Sequence, residues 1–357
     1  MKIIITTIFS ITLLSSIVSS QKACNGYPEL CDKLYSNVAY ATTHNSYSYG
    51  NNVAANQNYD IPTQLKDGIR GLMLDANFPT NNTKEVDLCH STCELLDQGP
   101  AVDTLKQLGT WLDNNPNEVI TILWENAGKV PASMFNDIYT QSGFVKYAHF
   151  QEVGQDWPTL NDMINSGKRA VNFVDTGADP SVQWLMPEYN YVFETPFDNE
   201  NINGFICTVD RPKNQERPMY VLNHFLYGKF ALSSSIDIPQ PDQANTTNAA
   251  SLADHAKRCD QTFNRIPNFI TVDFYDQGSN GQNVLSVTAN LNGVQYVPKQ
   301  LGDGSTNISK GGTNGVNGAN GANGANGVNA AIPNNDLRSS NILAGLAGVG
   351  TLALFVL

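Results

Sequence analysis

Eight short runs of apolar, β-prone residues recur between residues 37 and 274, and this recurrence constrains the fold more than any other feature. Several runs are continuously apolar, as expected for strands that are covered on both faces. Helical segments lie between many of them, which predicts a parallel α/β sheet, and eight strands predict a closed barrel of the TIM type. The runs span residues 37–42, 72–75, 119–124, 170–174, 191–193, 205–209, 220–222 and 269–274.

The segments between these runs have the period of amphipathic helices. In the clearest of them, Leu105, Leu108 and Leu112 recur on one face behind Asp103. The predicted helices span residues 102–112, 131–139, 159–164 and 248–263.

Residues 1–20 are typical of a secretory signal peptide. A lysine follows the first methionine, an apolar stretch runs to about Val18, and small residues precede Gln21. We therefore expect a secreted chain that starts at Gln21. A transmembrane anchor is the alternative, and it is disfavoured because the apolar stretch is short and interrupted by Thr and Ser.

Residues 332–357 are typical of a signal for a glycosylphosphatidylinositol (GPI) anchor. A polar spacer leads into an apolar, uncharged end, and small residues stand before the spacer. We expect attachment at Asn329, with Ser339 as the competing site, and removal of the signal. The mature protein would then be extracellular, at the cell surface or wall, and anchored to the plasma membrane. A spanning helix is the alternative, and a short end rich in Gly and Ala disfavours it.

Residues 301–331 are predicted to form a flexible stalk between this anchor and a single folded domain, residues 21–300. Asn-Gly-Ala and Asn-Gly-Val recur there, with glycine at every third position but without the proline of a collagen helix. Almost nothing in this segment is apolar, so it has no core to form.

All six cysteines lie in the folded domain, and a secreted chain is expected to oxidise them. The spacings favour Cys24–Cys31 and Cys89–Cys93 as local loops, which leaves Cys207–Cys259, although other connectivities are formally open. The net charge of −12 argues against nucleic acid as a partner and against electrostatic docking to anionic lipid. Glycosylation sequons begin at Asn81, Asn245 and Asn307.

Polar residues follow several predicted strands, where a strand ends and a loop begins. His44 and Asn45 follow the first strand, Asp75 closes the second and Glu125 the third, while His90 lies in Leu-Cys-His-Ser. Because a parallel barrel delivers the carboxyl ends of its strands to one rim, we expect these side chains to converge. Two facing imidazoles can take a proton from one oxygen and give one to another, as cleavage of a phosphodiester requires.

At these residues the sequence resembles the X domain of phosphatidylinositol-specific phospholipase C. It is most similar to the secreted fungal and plant proteins that contain this domain. The resemblance implies a distorted β/α barrel and a phospholipase C-like phosphoric diester hydrolase that acts on a phospholipid or a related phosphodiester. The matching stretches are 24–46, 64–75, 88–91, 116–126, 157–175 and 268–275.

The resemblance also implies roles for individual residues. His44 corresponds to the histidine beside the nucleophilic oxygen, and His90 to the one near the leaving oxygen. Asn45, Asp75 and Glu125 match three metal ligands of the calcium-dependent relatives, and such oxygens suit Mg²⁺ or Ca²⁺.

Neither known way of stabilising the phosphate charge is matched in full. The fourth acidic ligand position is Met73, which is expected to point toward the other ligands and to leave a gap for water. Bacterial relatives use an arginine instead of metal, and that position is Asn77. The need for a metal is therefore open.

Each candidate has a structural alternative. His44 alternatively holds a loop, His90 packs a disulfide loop, Asp75 caps a turn and Glu125 binds backbone amides. Asp273 is expected to orient His44, or to be an ordinary rim carboxylate.

Four other polar residues are expected to lie outside the chemistry. Arg70 is predicted to pair with a carboxylate, and His224 to pack beside the seventh strand. Tyr47 and Tyr49 form either an apolar lip or part of a surface loop.

The sequence thus predicts cleavage of phosphatidylinositol-like lipids by a histidine pair. Two alternatives are a phosphodiesterase for a glycerophosphodiester or a glycolipid headgroup, and a catalytically inactive cell-surface scaffold. Headgroup preference and oligomeric state are left open.

Overall fold

The fold is built around a curled parallel sheet, seen in a computed structural model that describes residues 22–90, 93–230 and 233–302. The strands are β1 Tyr40–Thr43, β2 Gly71–Asn77, β3 Asp87–Cys89, β4 Asp97–Pro100, β5 Ile120–Glu125, β6 Ala148–His149, β7 Ala170–Val174, β8 Leu185–Pro187, β9 Val192–Glu194, β10 Met219–Asn223, β11 Tyr227–Phe230, β12 Ser233–Pro239 and β13 Phe269–Val272. The helices are α1 Ile61–Asp67, α2 Ala101–Asn114, α3 Ala132–Gln141, α4 Leu160–Ser166, α5 Pro241–Thr246, α6 Leu252–Phe263 and α7 Val284–Asn292.

The parallel strands form the wall of a distorted TIM-type barrel, as predicted. Neighbours follow the order β6, β7, β5, β2, β1, β13, β10 and β9, and β8 lies beside the carboxyl-terminal half of β7, beyond the end of β6. Within the described residues no ladder joins β8 to β9, so the wall is open along that seam. β3 and β4 extend β2 as antiparallel strands, and β11 and β12 form a separate hairpin.

The strand predictions are correct for seven of the eight runs, and the sixth is wrong. Residues 205–209 form no strand, because Phe205 stacks on His224 and Cys207 is tied to Cys259. The prediction lacked two wall strands, β6 and β8, which have only two and three residues and are too short for a pattern to emerge. The four predicted helices are present as α2, α3, α4 and α6, the last preceded by a kink at Ala249, whose backbone is not helical.

Alternation along the strands separates two apolar layers. Leu72, Leu74 and Trp124 belong to the layer beneath the helices, whereas Met73 and Leu123 belong to the interior of the barrel. Side chains two residues apart on a strand share a face. Asp75, near the carboxyl end of β2, and Glu125, the last residue of β5, therefore stand above this apolar interior.

Truncating one inward-facing leucine of α2 should destabilise the fold measurably. Leu105 is fully buried, so Leu105→Ala is expected to lower the free energy of unfolding by about 2–5 kcal/mol. Urea unfolding followed by circular dichroism measures the change. The control is Lys106→Ala, whose exposed side chain pairs with Asp103 and should shift stability by less than about 1 kcal/mol. Equal losses in both variants would contradict this account of α2.

The structure contains the three disulfides that the spacing favoured, Cys24–Cys31, Cys89–Cys93 and Cys207–Cys259. Asn81 and Asn245 are exposed, so both remain candidate glycosylation sites. No helix in the described part of the chain is long and apolar enough to cross a bilayer. The predicted signal peptide, nearly all of the stalk, the GPI signal, Asn307, Asn329 and Ser339 lie outside the described residues.

Candidate active site

His44 stands at the carboxyl end of β1, where the first and last wall strands meet. β1 and β13 are in register at Thr43 and Val272, so the residues that follow them, His44 and Asp273, emerge side by side at the rim. His44 Nδ1 lies 2.8 Å from Asp273 Oδ1, and Asn56 Nδ2 donates to the same carboxylate oxygen at 3.0 Å. This contact orients the buried imidazole and directs its other nitrogen, Nε2, away from Asp273.

Two aromatic residues complete the surroundings of this imidazole. The ring of Phe225 stacks on it, with the centroids 3.8 Å apart and the planes nearly parallel. The hydroxyl of Tyr227 lies 3.3 Å from His44 Nε2. The side-chain amide of Gln57 donates to the His44 carbonyl at 2.8 Å, which fixes the backbone.

His90 follows β3 on the antiparallel extension of β2, next to the Cys89–Cys93 disulfide. Its Nδ1 lies 2.8 Å from the carbonyl oxygen of Ala54, so Nδ1 is the donor and Nε2 is left for chemistry. Burial lowers the pKa of His90; the Ala54 carbonyl and Asp273 oppose this effect, and His44 adds to it. His90 therefore lies within electrostatic range of both His44 and Asp273.

Asp75 and Glu125 are neighbours because β2 and β5 are in register at these positions. Burial, and then the charge of Glu125, raise the pKa of Asp75 well above its usual range. Burial also raises the pKa of Glu125, against the opposing effects of Arg211 and His44. The two carboxylates thus destabilise each other in the ionised form.

Asn45 Oδ1 is buried without a hydrogen-bond partner in the described chain, and the buried Tyr47 hydroxyl interacts with the Asp75 carboxylate. Buried polar atoms are seldom left unpaired. A divalent cation such as Mg²⁺ or Ca²⁺ would satisfy hard oxygen donors and relieve the repulsion between Asp75 and Glu125. The residues present therefore fit such an ion.

The interpretation of Met73 needs a correction. It shares the inward face of β2 with Asp75, as expected, but it is buried in the apolar interior together with Leu123 and Phe173. Apolar side chains, rather than a gap for water, surround the position where relatives carry a fourth acidic ligand.

A second charged cluster was missed at the sequence level. Arg211 Nη2 lies 2.8 Å from Glu194 Oε2 and 4.0 Å from Glu125 Oε1, and its guanidinium lies over the ring of Phe197. Glu194 also accepts from Tyr189 at 2.9 Å. Glu194 ends a predicted strand, so the strand-end rule would have found it, whereas no pattern marks Arg211.

The remaining assignments are mostly structural. Arg70 pairs with Glu118 at 2.7 Å, as predicted. His224 packs in the interior, with its Nδ1 2.9 Å from His255 Nδ1. Tyr47 is fully buried beside Asp75, so it forms neither an apolar lip nor part of the surface, and Tyr49 is half-buried.

The family model described as PI-PLC X matches residues 30–292 of this chain. The chain is 35% identical over 300 residues to an uncharacterized secreted protein of the fungus Arthroderma benhamiae, an alignment that covers 80% of this chain and 67% of that protein. It is 34% identical over 286 residues to PI-PLC X domain-containing protein 1 of the same fungus, with 76% and 90% covered. A PI-PLC X domain-containing protein of Arabidopsis thaliana is 27% identical over 287 residues, with 75% and 63% covered.

Solved structures with a similar fold include phosphatidylinositol-specific phospholipase C from Staphylococcus aureus. One such structure superposes with a TM-score of 0.51 at 16% identity and covers 77% of this chain and 99% of that one. Another has a TM-score of 0.50 at 16% identity, with 74% and 95% covered. At this level of identity the likeness shows a shared fold.

Proposed function

Because this chain belongs to the PI-PLC X domain family, we propose that it is a phosphoric diester hydrolase that cleaves phosphatidylinositol or a related phosphodiester lipid. The observation that carries the proposal is the orientation of His44 by Asp273 at the barrel rim, with His90 in electrostatic range. This arrangement supplies a base and an acid on one side of a parallel barrel, where such barrels place their active sites.

In the proposed mechanism His44 is the general base. Its Nδ1 proton is held by Asp273, so Nε2 is the atom that takes a proton from the attacking hydroxyl. That hydroxyl belongs to the inositol ring or to water. Asp273 then stabilises the imidazolium that forms.

His90 is the proposed general acid. Its Nδ1 is held by the carbonyl of Ala54, so the proton given to the departing glycerol oxygen comes from Nε2. Two histidines in opposite protonation states account for both proton transfers.

Asn45, Asp75 and Glu125 would hold a divalent cation in this proposal. Such a cation, when bound, supplies positive charge beside the phosphate. The unpaired buried oxygen of Asn45 and the mutual repulsion of Asp75 and Glu125 support this assignment.

An activity assay with two substrates and three metal conditions distinguishes the candidate functions. Phosphatidylinositol in vesicles and a simple glycerophosphodiester should each be incubated with Mg²⁺, with Ca²⁺ and with a chelator. We expect cleavage of the lipid, dependence on a cation and little turnover of the simple diester. Preferred cleavage of the simple diester would favour the other phosphodiesterase, and inactivity on both would favour a scaffold.

The cellular setting is part of the proposal. A relative is named a secreted protein, and the expected signal peptide of residues 1–20 agrees with an extracellular location for this chain. The GPI anchor would hold the enzyme at the plasma membrane, which compensates for the poor electrostatic attraction of a chain with net charge −12.

The dependence of kcat/KM on pH should reveal the titration of His90, the proposed general acid. Burial lowers the pKa of His90, and a general acid must be protonated, so kcat/KM should fall as pH rises through a value below 6.5. Initial rates on phosphatidylinositol between pH 4 and pH 9, about ten points in constant-ionic-strength buffer, measure this limb. A profile that stays flat to pH 8 would exclude His90 as the titrating acid.

A further inference from the structure

The nitrogen that would accept the proton is already engaged in the free protein. The hydroxyl of Tyr227 lies 3.3 Å from His44 Nε2, and the two rings meet edge to face. Because the Nδ1 proton of His44 is bound to Asp273, Nε2 carries the lone pair and the phenol is the donor. Tyr227 therefore occupies the position that an attacking hydroxyl must take.

The Tyr227 hydroxyl also lies within electrostatic range of two of the proposed cation ligands, Glu125 and Asp75. Burial, followed by the charges of Glu125, Asp273 and Asp75, raises the pKa of Tyr227 well above its usual range. The phenol consequently keeps its proton at any pH at which the protein would work. The Tyr227 hydroxyl is therefore a hydrogen-bond donor among carboxylates, which accept hydrogen bonds when ionised.

Several contacts hold the backbone and the ring of Tyr227 in place, while its side chain remains partly accessible to solvent. The backbone N–H of Tyr227 donates to the carbonyl of Asn199 at 2.8 Å, and the side chain of Gln240 donates to the carbonyl of Tyr227. The ring packs edge to face against Phe225, which itself stacks on His44. A donor held in this way is preorganised, so it loses little entropy when it binds a substrate.

We propose that Tyr227 is a catalytic residue that donates a hydrogen bond to a non-bridging oxygen of the substrate phosphate. This inference rests on the proposed function. When the attacking hydroxyl replaces the phenol as the donor to Nε2, the ring of Tyr227 stays in place and its hydroxyl proton turns toward the phosphate. The attacking oxygen then bonds to phosphorus and brings the non-bridging oxygens beside Tyr227.

The proposed cleavage forms one bond to phosphorus and breaks another. The nucleophilic oxygen forms a bond to phosphorus while its proton passes to His44, and the glycerol oxygen leaves with the proton of His90. Charge accumulates on the non-bridging oxygens in the transition state, where a fixed donor lowers the barrier. Tyr227 gives up no proton and changes no bond.

The test is Tyr227→Phe, which removes one oxygen and keeps the ring packing. On phosphatidylinositol we expect kcat to fall about 100-fold with little change in KM, because the lost hydrogen bond strengthens only in the transition state. The matched control is Tyr220→Phe on β10, whose hydroxyl bonds the backbone carbonyl of Arg265 at 3.2 Å. That variant should keep the activity of the unmodified protein.

The two phosphorothioate diastereomers of the substrate separate a catalytic role from a structural one. Sulfur accepts hydrogen bonds poorly, so replacing the oxygen that Tyr227 contacts should slow the unmodified protein, and this penalty should shrink in Tyr227→Phe. An unchanged kcat, or a lower kcat with an unchanged ratio between diastereomers, would overturn the inference and leave the proposed function intact. Absence of turnover in the unmodified protein would instead remove the proposed function and this inference together.

Discussion

Replacing His44 by alanine is expected to lower kcat/KM on phosphatidylinositol by about 10³-fold, the usual contribution of a positioned base. Asp273 is not placed to replace it as the base, because it is bound to the far side of this ring. His90→Ala should cause a loss of similar size on the same substrate, since the glycerol oxygen then departs without a proton.

A substrate with a better leaving group distinguishes the two histidines. An inositol phosphate ester of p-nitrophenol releases a stable phenolate, which needs no acid. His90→Ala should therefore recover most of its activity on this ester, whereas His44→Ala should not. His149→Asn is the control, because this histidine lies on β6 away from the rim and should leave the rate unchanged. Equal recovery in both rim variants would contradict the division of roles.

Asp75→Asn is expected to reduce activity by at least about 100-fold through loss of the cation. Calorimetry should show Mg²⁺ or Ca²⁺ uptake by the unmodified protein and much weaker uptake by the variant. Full activity in excess chelator, with no uptake by either protein, would establish a metal-free enzyme in which Asp75 only orients its neighbours.

The Asp75→Asn variant also shows whether a loss of activity comes from the site or from unfolding. The pKa of Asp75 is raised, so its ionised form is less stable in the folded protein than in the unfolded chain. This penalty is absent at low pH and grows as pH rises above the ordinary range of an aspartate. Removing the charge should therefore leave the unfolding midpoint at pH 7 unchanged or higher while activity is lost. By contrast, Met73→Glu should destabilise the protein, because it introduces a carboxylate into the apolar barrel interior.

The sequence predicts those site residues that stand at the carboxyl ends of regular strands. His44, Asp75, Glu125 and Asp273 all stand at the carboxyl ends of wall strands, and in a parallel barrel these ends meet. The same reasoning would have found Glu194. The pairing of His44 with Asp273 follows from β1 and β13 being neighbours, as the first and last strands of a TIM-type barrel are.

The rest of the site depends on contacts that no local pattern records. Arg211 and Tyr227 lie outside the wall strands, and tertiary contacts with Glu194, Asn199 and Phe225 determine where their side chains point. Residues 205–209 are apolar for a reason other than strand formation. Phe205 packs on His224, and Cys207 is linked to Cys259. These two residues serve tertiary contacts, and the interpretation of the segment as a strand was wrong.

The meeting of β1 and β13 also has a consequence for the timing of synthesis. His44 and its partner Asp273 are 229 positions apart in sequence, so the ribosome completes nearly the whole domain before the second of them exists. The growing chain therefore carries His44 for most of its synthesis without the carboxylate that orients it. We expect any chain that ends before β13 to lack the proposed activity, which would then arise only when synthesis has passed Asp273.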